Sequence, residues 1–256
     1  MEKSFYSAAK DGKVEVVKDI LRKNPSLNVN WKNEGDGANT ALVAACEKGH
    51  DSVVSILLAH PDIDPNLKNK FGNTPFLIAC ADGSTSCVRL LLRDQRVMVN
   101  EPDNDGATPL KWVACFGHLD VIKWWIASGR EIDFGKPGDY KTDAIGEAKE
   151  NGETEVVSLL ERFKKNPVKT RHAMRVDLGL FDDLAAEMFA VVVFVSDGLL
   201  QIKDTTPSPA ARFFNIARRL PLELQMVLCY RQVGSAKEII PGTEREAAFK
   251  ELARRL

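Results

Sequence analysis

The chain has 256 residues, 44% of them apolar and 28% charged, enough for one elongated array plus a small domain or for two compact domains. Its net charge is −1. Residues 1–167 hold 22 basic and 25 acidic side chains, and residues 168–256 hold 13 and 11, so neither part has the positive excess that contact with a phosphate backbone requires; a nucleic-acid partner is not expected.

The chain opens on Met1-Glu2-Lys3-Ser4, which leads into a polar amphipathic segment and not into the apolar stretch of a signal peptide. Five glycines then recur behind helical, alanine-containing stretches: Gly12, Gly49, Gly83, Gly117 and Gly152, at spacings of 37, 34, 34 and 35. Four residues after each comes an apolar pair: Val16-Val17, Val53-Val54, Cys87-Val88, Val121-Ile122 and Val156-Val157. A second apolar group follows one turn later, at Ile20-Leu21, Leu57-Leu58, Leu91-Leu92, Trp125-Ile126 and Leu159-Leu160. Spacings of three and four put these groups on one helix face. Each unit is predicted to run helix, glycine turn, helix, loop. Two short helices cannot bury such a face alone, but stacked neighbours share it.

Gly72-Asn73-Thr74-Pro75-Phe76 and Gly106-Ala107-Thr108-Pro109-Leu110 resemble the Gly-x-Thr-Pro-Leu opening of the ankyrin repeat, Gly49-His50 and Gly117-His118 resemble its turn, and Asp64-Pro65-Asn66 resembles the end of a unit. The proline fits the first helical position, where its missing N–H is harmless, and the threonine before it caps the helix. The resemblance covers residues 4–165. It implies an all-α solenoid of about five helix pairs, at about 4–37, 38–71, 72–105, 106–139 and 140–165; the patterning of residues 168–256, outside the resemblance, predicts a small helical domain after it. Three departures stand out. No unit has the usual histidine after Thr-Pro-Leu; unit one lacks Thr-Pro, as an N-terminal cap would; and unit five opens on Thr142-Asp143-Ala144, as a degenerate or capping unit would. The loop Asn30–Gly37 is longer than its counterparts, either a plain insertion or a specialised contact.

Beyond Asn166-Pro167 the period stops. Leu184 to Val195 is apolar nearly all round and is predicted to be a buried helix, although this run is far short of the roughly 20 residues that cross a bilayer. Ala210–Leu220 and Leu222–Val233 are predicted helices on either side of Pro221, with Phe213, Phe214, Ile216 and Ala217 on one side of the former. Asp204–Pro209 is a predicted loop, Pro241-Gly242 a turn, and Thr243–Glu246 a capping box ahead of a final helix. Leu220-Pro221-Leu222-Glu223-Leu224 resembles the start of an F-box, a segment with which some poxvirus ankyrin proteins end. That resemblance implies, as an alternative, a ubiquitin-ligase substrate adaptor.

Chemistry-bearing patterns are sparse. The histidines are His50, His60, His118 and His172, and no HExxH, CxxC, phosphate loop or nucleophile elbow occurs. No catalytic residue, metal or cofactor is expected. The cysteines, Cys46, Cys80, Cys87, Cys115 and Cys229, are odd in number and mostly within apolar stretches, as buried thiols of a reducing compartment would be. A cytoplasmic or nuclear location is expected, and no membrane partner.

The ankyrin resemblance implies a non-enzymatic scaffold that binds a protein or peptide along the hairpin tips and the exposed side of each first helix. Those positions are Trp31, Asn33, Lys48, Asn69, Lys70, Phe71, Asp82, Asn104, Asp105, Phe116, Asp139 and Tyr140. Trp31, Phe71, Phe116 and Tyr140 are the expected anchors, because the repeat needs no apolar residue there and aromatics dominate interface energy. Trp112, Trp124 and Trp125 fall on core positions. The charges around this face are mixed in sign, which implies a polar partner without strong single-sign character.

Overall fold

The structure, a computed structural model, describes residues 1–196 and 222–232 together with positions 213, 216, 217, 220 and 248. The chain divides into two compact units, Met1–Met174 and Arg175–Leu256. Every described element is helical except for an isolated bridge between Asn33 and Asn39.

The first unit is a row of helix pairs: α1 (Glu2–Lys10) with α2 (Val14–Lys23), α3 (Ala41–Glu47) with α4 (Asp51–Leu58), α5 (Pro75–Ala81) with α6 (Thr85–Arg93), α7 (Pro109–Cys115) with α8 (Leu119–Ser128), and α9 (Ala144–Glu150) with α10 (Thr154–Lys165). These helices are too short to be stable alone, so packing must hold them. Each first helix packs on the next first helix, α1 on α3 through to α7 on α9, and each second helix on the next second helix. The shared core runs through Val17, Leu42, Val54, Leu57, Phe76, Val88, Leu91, Leu110, Ile122, Trp125, Ile126 and Leu160, all fully buried.

The threonines close the first helices as expected. Thr40, Thr74 and Thr108 accept the amide hydrogens of Val43, Leu77 and Lys111 at 3.2, 3.1 and 3.3 Å. In the fifth pair Asp143 does the same job, accepting from Gly146 N–H at 2.9 Å.

The turn within each pair is one motif used five times. The amide two residues past the helix cap bonds back five residues: Lys13 to Ala8, His50 to Ala45, Ser84 to Ala79, His118 to Val113 and Glu153 to Ala148, at 2.8–3.0 Å. This pattern requires a left-handed residue before the donor, and the recurring glycines supply it. The side chain after the glycine then reaches back to the previous pair. His50 Nε2 donates to the Lys10 carbonyl at 3.1 Å and His118 Nε2 to the Ala81 carbonyl at 2.9 Å. A Cβ on Gly12 or Gly83 would lie 2.7 or 2.6 Å from those imidazole rings, so these two glycines are fixed both by φ and by space.

On the opposite edge, asparagines tie successive loops. Asn30, Asn66 and Asn100 accept through Oδ1 from the amides of Asp64, Met98 and Asp133 at 3.0, 2.7 and 3.2 Å. Asn30 and Asn66 also donate to the Asp62 and Arg96 carbonyls at 2.7 and 2.8 Å.

The long loop of unit one folds back on its own unit. Residues Glu34–Asp36 form one 3-10 turn, and Asp36 accepts from Tyr6 Oη and from Lys10 Nζ, both at 2.5 Å. Trp31 packs edge-on against Tyr6 with centroids 6.2 Å apart.

α11 (Pro167–Asp177) starts directly after Asn166, with proline at its first position and the Asn166 side chain accepting from Lys169 N–H at 3.0 Å. Its early turns belong to the first unit: Thr170 Oγ1 donates to the Arg162 carbonyl at 3.1 Å and Arg171 Nε to the Ile126 carbonyl at 3.2 Å.

In the second unit, α12 (Leu180–Ser196) packs on α13 (Leu222–Gln232). Ala185, Ala186, Phe189, Ala190 and Val192 meet Met226, Cys229 and Tyr230 in one core that also takes Ala217 and Ala248. Ile216, expected on the same side as Ala217, is 60% exposed instead; the two are neighbours in sequence, about 100° apart on a helix, and only one of them faces this core. The predicted loop at 204–209, the turn at 241–242, the capping box at 243–246 and the final helix apart from Ala248 lie outside the described residues.

Among the described residues no helix is long and apolar enough to cross a membrane, and no three His, Cys, Asp or Glu side chains are grouped to hold a metal ion.

Candidate functional site

Hairpin tips precede α5 and α7, and each is built on one side chain. Asn69 Oδ1 accepts from the amides of Phe71 and Asn73 at 2.9 and 3.0 Å, while Asn69 Nδ2 donates to Asn39 Oδ1 at 2.9 Å. Thirty-four residues on, Asp103 Oδ1 accepts from the amides of Asp105 and Ala107 at 3.0 and 2.9 Å. Such side-chain turns hold a tip without requiring a long hairpin. The tips are also tied to each other by backbone: Lys70 N–H donates to the Gly37 carbonyl and Asn104 N–H to the Phe71 carbonyl, both at 3.0 Å.

Between these tips and the exposed sides of α5 and α7 lies a groove of about 750 Å³. Its floor is Leu77, Ile78 and Ala81 of α5, and its walls include Phe71, Trp112 and Phe116. Phe71 and Phe116 are 58% and 51% exposed. Trp112 and Phe116 are four residues apart, so they share one helix face; their rings stack with centroids 5.8 Å apart and planes 16° apart. Asp103 Oδ2 accepts from Trp112 Nε1 at 3.1 Å and so fixes the indole from the tip side.

The charged side chains lining this groove are carboxylates: Asp82, Asp103 and Asp105. Partial burial, reinforced by nearby Glu47, holds the Asp82 carboxyl above its ordinary value of 3.8. The mixed charge expected from the sequence is a property of the wider face: Lys48 bridges Glu47 at 2.8 Å and Lys111 lies 3.4 Å from Glu147.

The expected site residues are therefore dispersed. Phe71, Asp82, Asp105 and Phe116 line the groove. Lys70 and Asn104 stand at its edge, with Lys70 Nζ 4.9 Å from the Phe71 ring and Asn104 Nδ2 donating to the Lys70 carbonyl at 3.0 Å. Asn69 is buried, and its amide is taken up in shaping the tip. Trp31 and Asn33 belong to the folded-back loop of unit one, with Trp31 half-buried on Tyr6. Lys48 is exposed beside Glu47. Asp139 accepts from Lys141 N–H at 3.0 Å in the last tip, where Tyr140 is 77% exposed; neither lines the groove. Sequence reasoning missed Trp112, assigned to packing. The signal was its i, i+4 spacing to Phe116. Of the other two tryptophans, Trp125 is fully buried against Phe76, and Trp124 is half-buried under Arg89, whose Cζ lies 4.0 Å from the ring.

Residues 61–137 match the family model for ankyrin repeats in three copies, and residues 38–70 match that for a single ankyrin repeat. The chain carries ankyrin repeats. The helix pairs on either side of the matched residues use the same glycine turn, so one continuous stack of helix pairs runs from α1 to α10. Ankyrin repeats generally mediate protein–protein interaction and are generally not enzymes. No curated protein sequence matches the chain.

A second concavity, of about 530 Å³, lies on the outer side of the last ankyrin pair, lined by Lys149, Gly152, Thr154, Val157 and Arg162 among others. Among the described residues nothing lies within 4 Å of where a Cβ on Gly152 would be, in contrast to Gly12, Gly49, Gly83 and Gly117. This is the place that the turn of a following repeat would fill.

Proposed function

We propose that the protein is a non-enzymatic interaction scaffold that holds a protein or peptide against the concave groove and hairpin tips of its ankyrin stack. The observation that carries the reading is the pair Phe71 and Phe116. They come from different repeats, are more than half exposed, and face one groove. Half of each ring is left in water, and such rings supply much of the energy of protein interfaces. The buried thiols Cys46, Cys80 and Cys87, none of them in a disulfide, support a reducing cytoplasmic or nuclear setting.

The test is a pull-down comparing the wild type with the F71A/F116A variant. Both side chains are exposed, so the double substitution should leave stability within about 1 kcal/mol of wild type. At least one wild-type partner should be lost or depleted. A variant that folds and retains every partner would remove this groove from the reading.

The ubiquitin-ligase adaptor reading has one observation in its favour: Leu224, in the F-box-like segment, is 51% exposed on α13. Pro221 lies outside the described residues. Absence of binding between the full chain and a purified F-box adaptor protein would dismiss it.

A further inference from the structure

We infer that the groove between α5 and α7 takes a peptide segment presenting an arginine side chain beside an apolar one. This rests on the interaction reading above and names the chemistry of its partner. Ile78, Trp112 and the two exposed phenylalanines offer apolar and aromatic surface, which calls for an apolar neighbour in the ligand. The electrostatics then choose the sign of what lies beside it. The three charged side chains of the lining are all carboxylates, in a region whose overall balance is nearly neutral. The nearby lysines are shared with other carboxylates: Lys48, which also acts on Asp82, is held by Glu47 at 2.8 Å, and Lys111 lies 3.4 Å from Glu147. Apolar walls around charges of one sign focus their field on the space between.

The protein's own side chains already show what this aromatic surface attracts. Lys70 Nζ lies 4.9 Å from the Phe71 ring and Lys111 Nζ 4.5 Å from the Trp112 ring. The exposed half of Phe116, whose ring also meets Trp112 and His118, and the Asp82 and Asp105 carboxylates are left for a ligand cation. Arginine suits them better than lysine. Its flat guanidinium stacks on a ring while its N–H groups reach two oxygens at once.

The experiment is selection of random peptides of about 12 residues, displayed on phage, against the full chain, followed by fluorescence anisotropy on synthetic copies. Enriched sequences should carry arginine next to Leu, Ile or Phe. Their binding should weaken by about tenfold or more with D82N/D105N, and also between roughly 50 and 500 mM salt, where screening shortens. Asp82 and Asp105 are exposed, so the variant should fold as the wild type does. The charge-reversed D82K/D105K should prefer the same peptide with glutamate in place of arginine. Enrichment of acidic or uncharged peptides that still require Phe71 and Phe116 would overturn this inference and leave the interaction reading standing. Peptides indifferent to F71A/F116A would overturn both. No enrichment above an unrelated control protein would overturn the inference alone, since a folded partner could still be captured by pull-down.

Discussion

Asn69, Asp103 and Asp139 stand at the start of successive tips, and all three turn a side-chain oxygen onto the backbone. Read by position they look like surface contacts; read by chemistry they are turn formers, because a short carbonyl or carboxylate side chain two residues before an amide closes a ring with it. That recurrence of Asn or Asp was the available signal. Replacing Asn69 by alanine should cost about 1–3 kcal/mol, because the amides of Phe71 and Asn73 lose their acceptor and buried Asn39 its donor. Urea unfolding would measure it, with N69D, the chain's own choice at Asp103, costing less. A second residue-scale prediction concerns pH. The hydrogen bond from Lys10, then that from Tyr6, holds the Asp36 carboxyl below its ordinary value of 3.8. A depressed folded pKa stabilises the protein above the ordinary value, and the contribution disappears as pH falls through the depressed one. The pair is more than a third exposed, so screening keeps the effect modest. Melting temperatures of wild type and D36N should differ at neutral pH and converge as pH is taken below 3.8; a constant gap would contradict this.

At the scale of the helix pair, the turn histidines distinguish one joint from another. His50 fastens the second pair to the first and His118 the fourth to the third, each through a main-chain carbonyl. Between the second and third pairs the equivalent position is Ser84, too short to span the same gap, and Gly49 keeps the same left-handed turn with φ +68. Placing histidine at position 84 should let Nε2 donate to the Glu47 carbonyl and raise stability by about 0.5–1.5 kcal/mol. A urea midpoint that stays put or drops would show that the joint differs in more than that one bond. The helix pairs themselves were fully legible, since one apolar face per helix and a glycine after each first helix leave few alternatives. The role of Asp143 was less so. Thr142-Asp143-Ala144 departs from Thr-Pro, yet a carboxylate one position along caps the helix equally well.

Across the whole molecule, legibility follows the repeat. Within α1 to α10 a residue's place in the period predicts its burial, except at Val16 of the first pair, which is 45% exposed where Val53, Cys87, Val121 and Val156 are buried. It predicts less well what faces the groove, because that depends on which side chains meet from adjacent repeats. Trp112 shows this: its neighbours in sequence suggest core, and only the approach of the Asp103 tip fixes its indole at the wall. In the second unit no period constrains the reading. The α12 sequence announced burial, and α13 supplies its packing partner through Met226, Cys229 and Tyr230, a pairing that no spacing in the sequence specified.

The clamping of Phe71 has a thermodynamic corollary. Its amide is held by Asn69 and its carbonyl by the Asn104 amide, so the strip of chain that presents the ring surrendered its conformational entropy when the protein folded. A ligand settling on that ring has only itself to immobilise, and more of the contact energy survives as affinity.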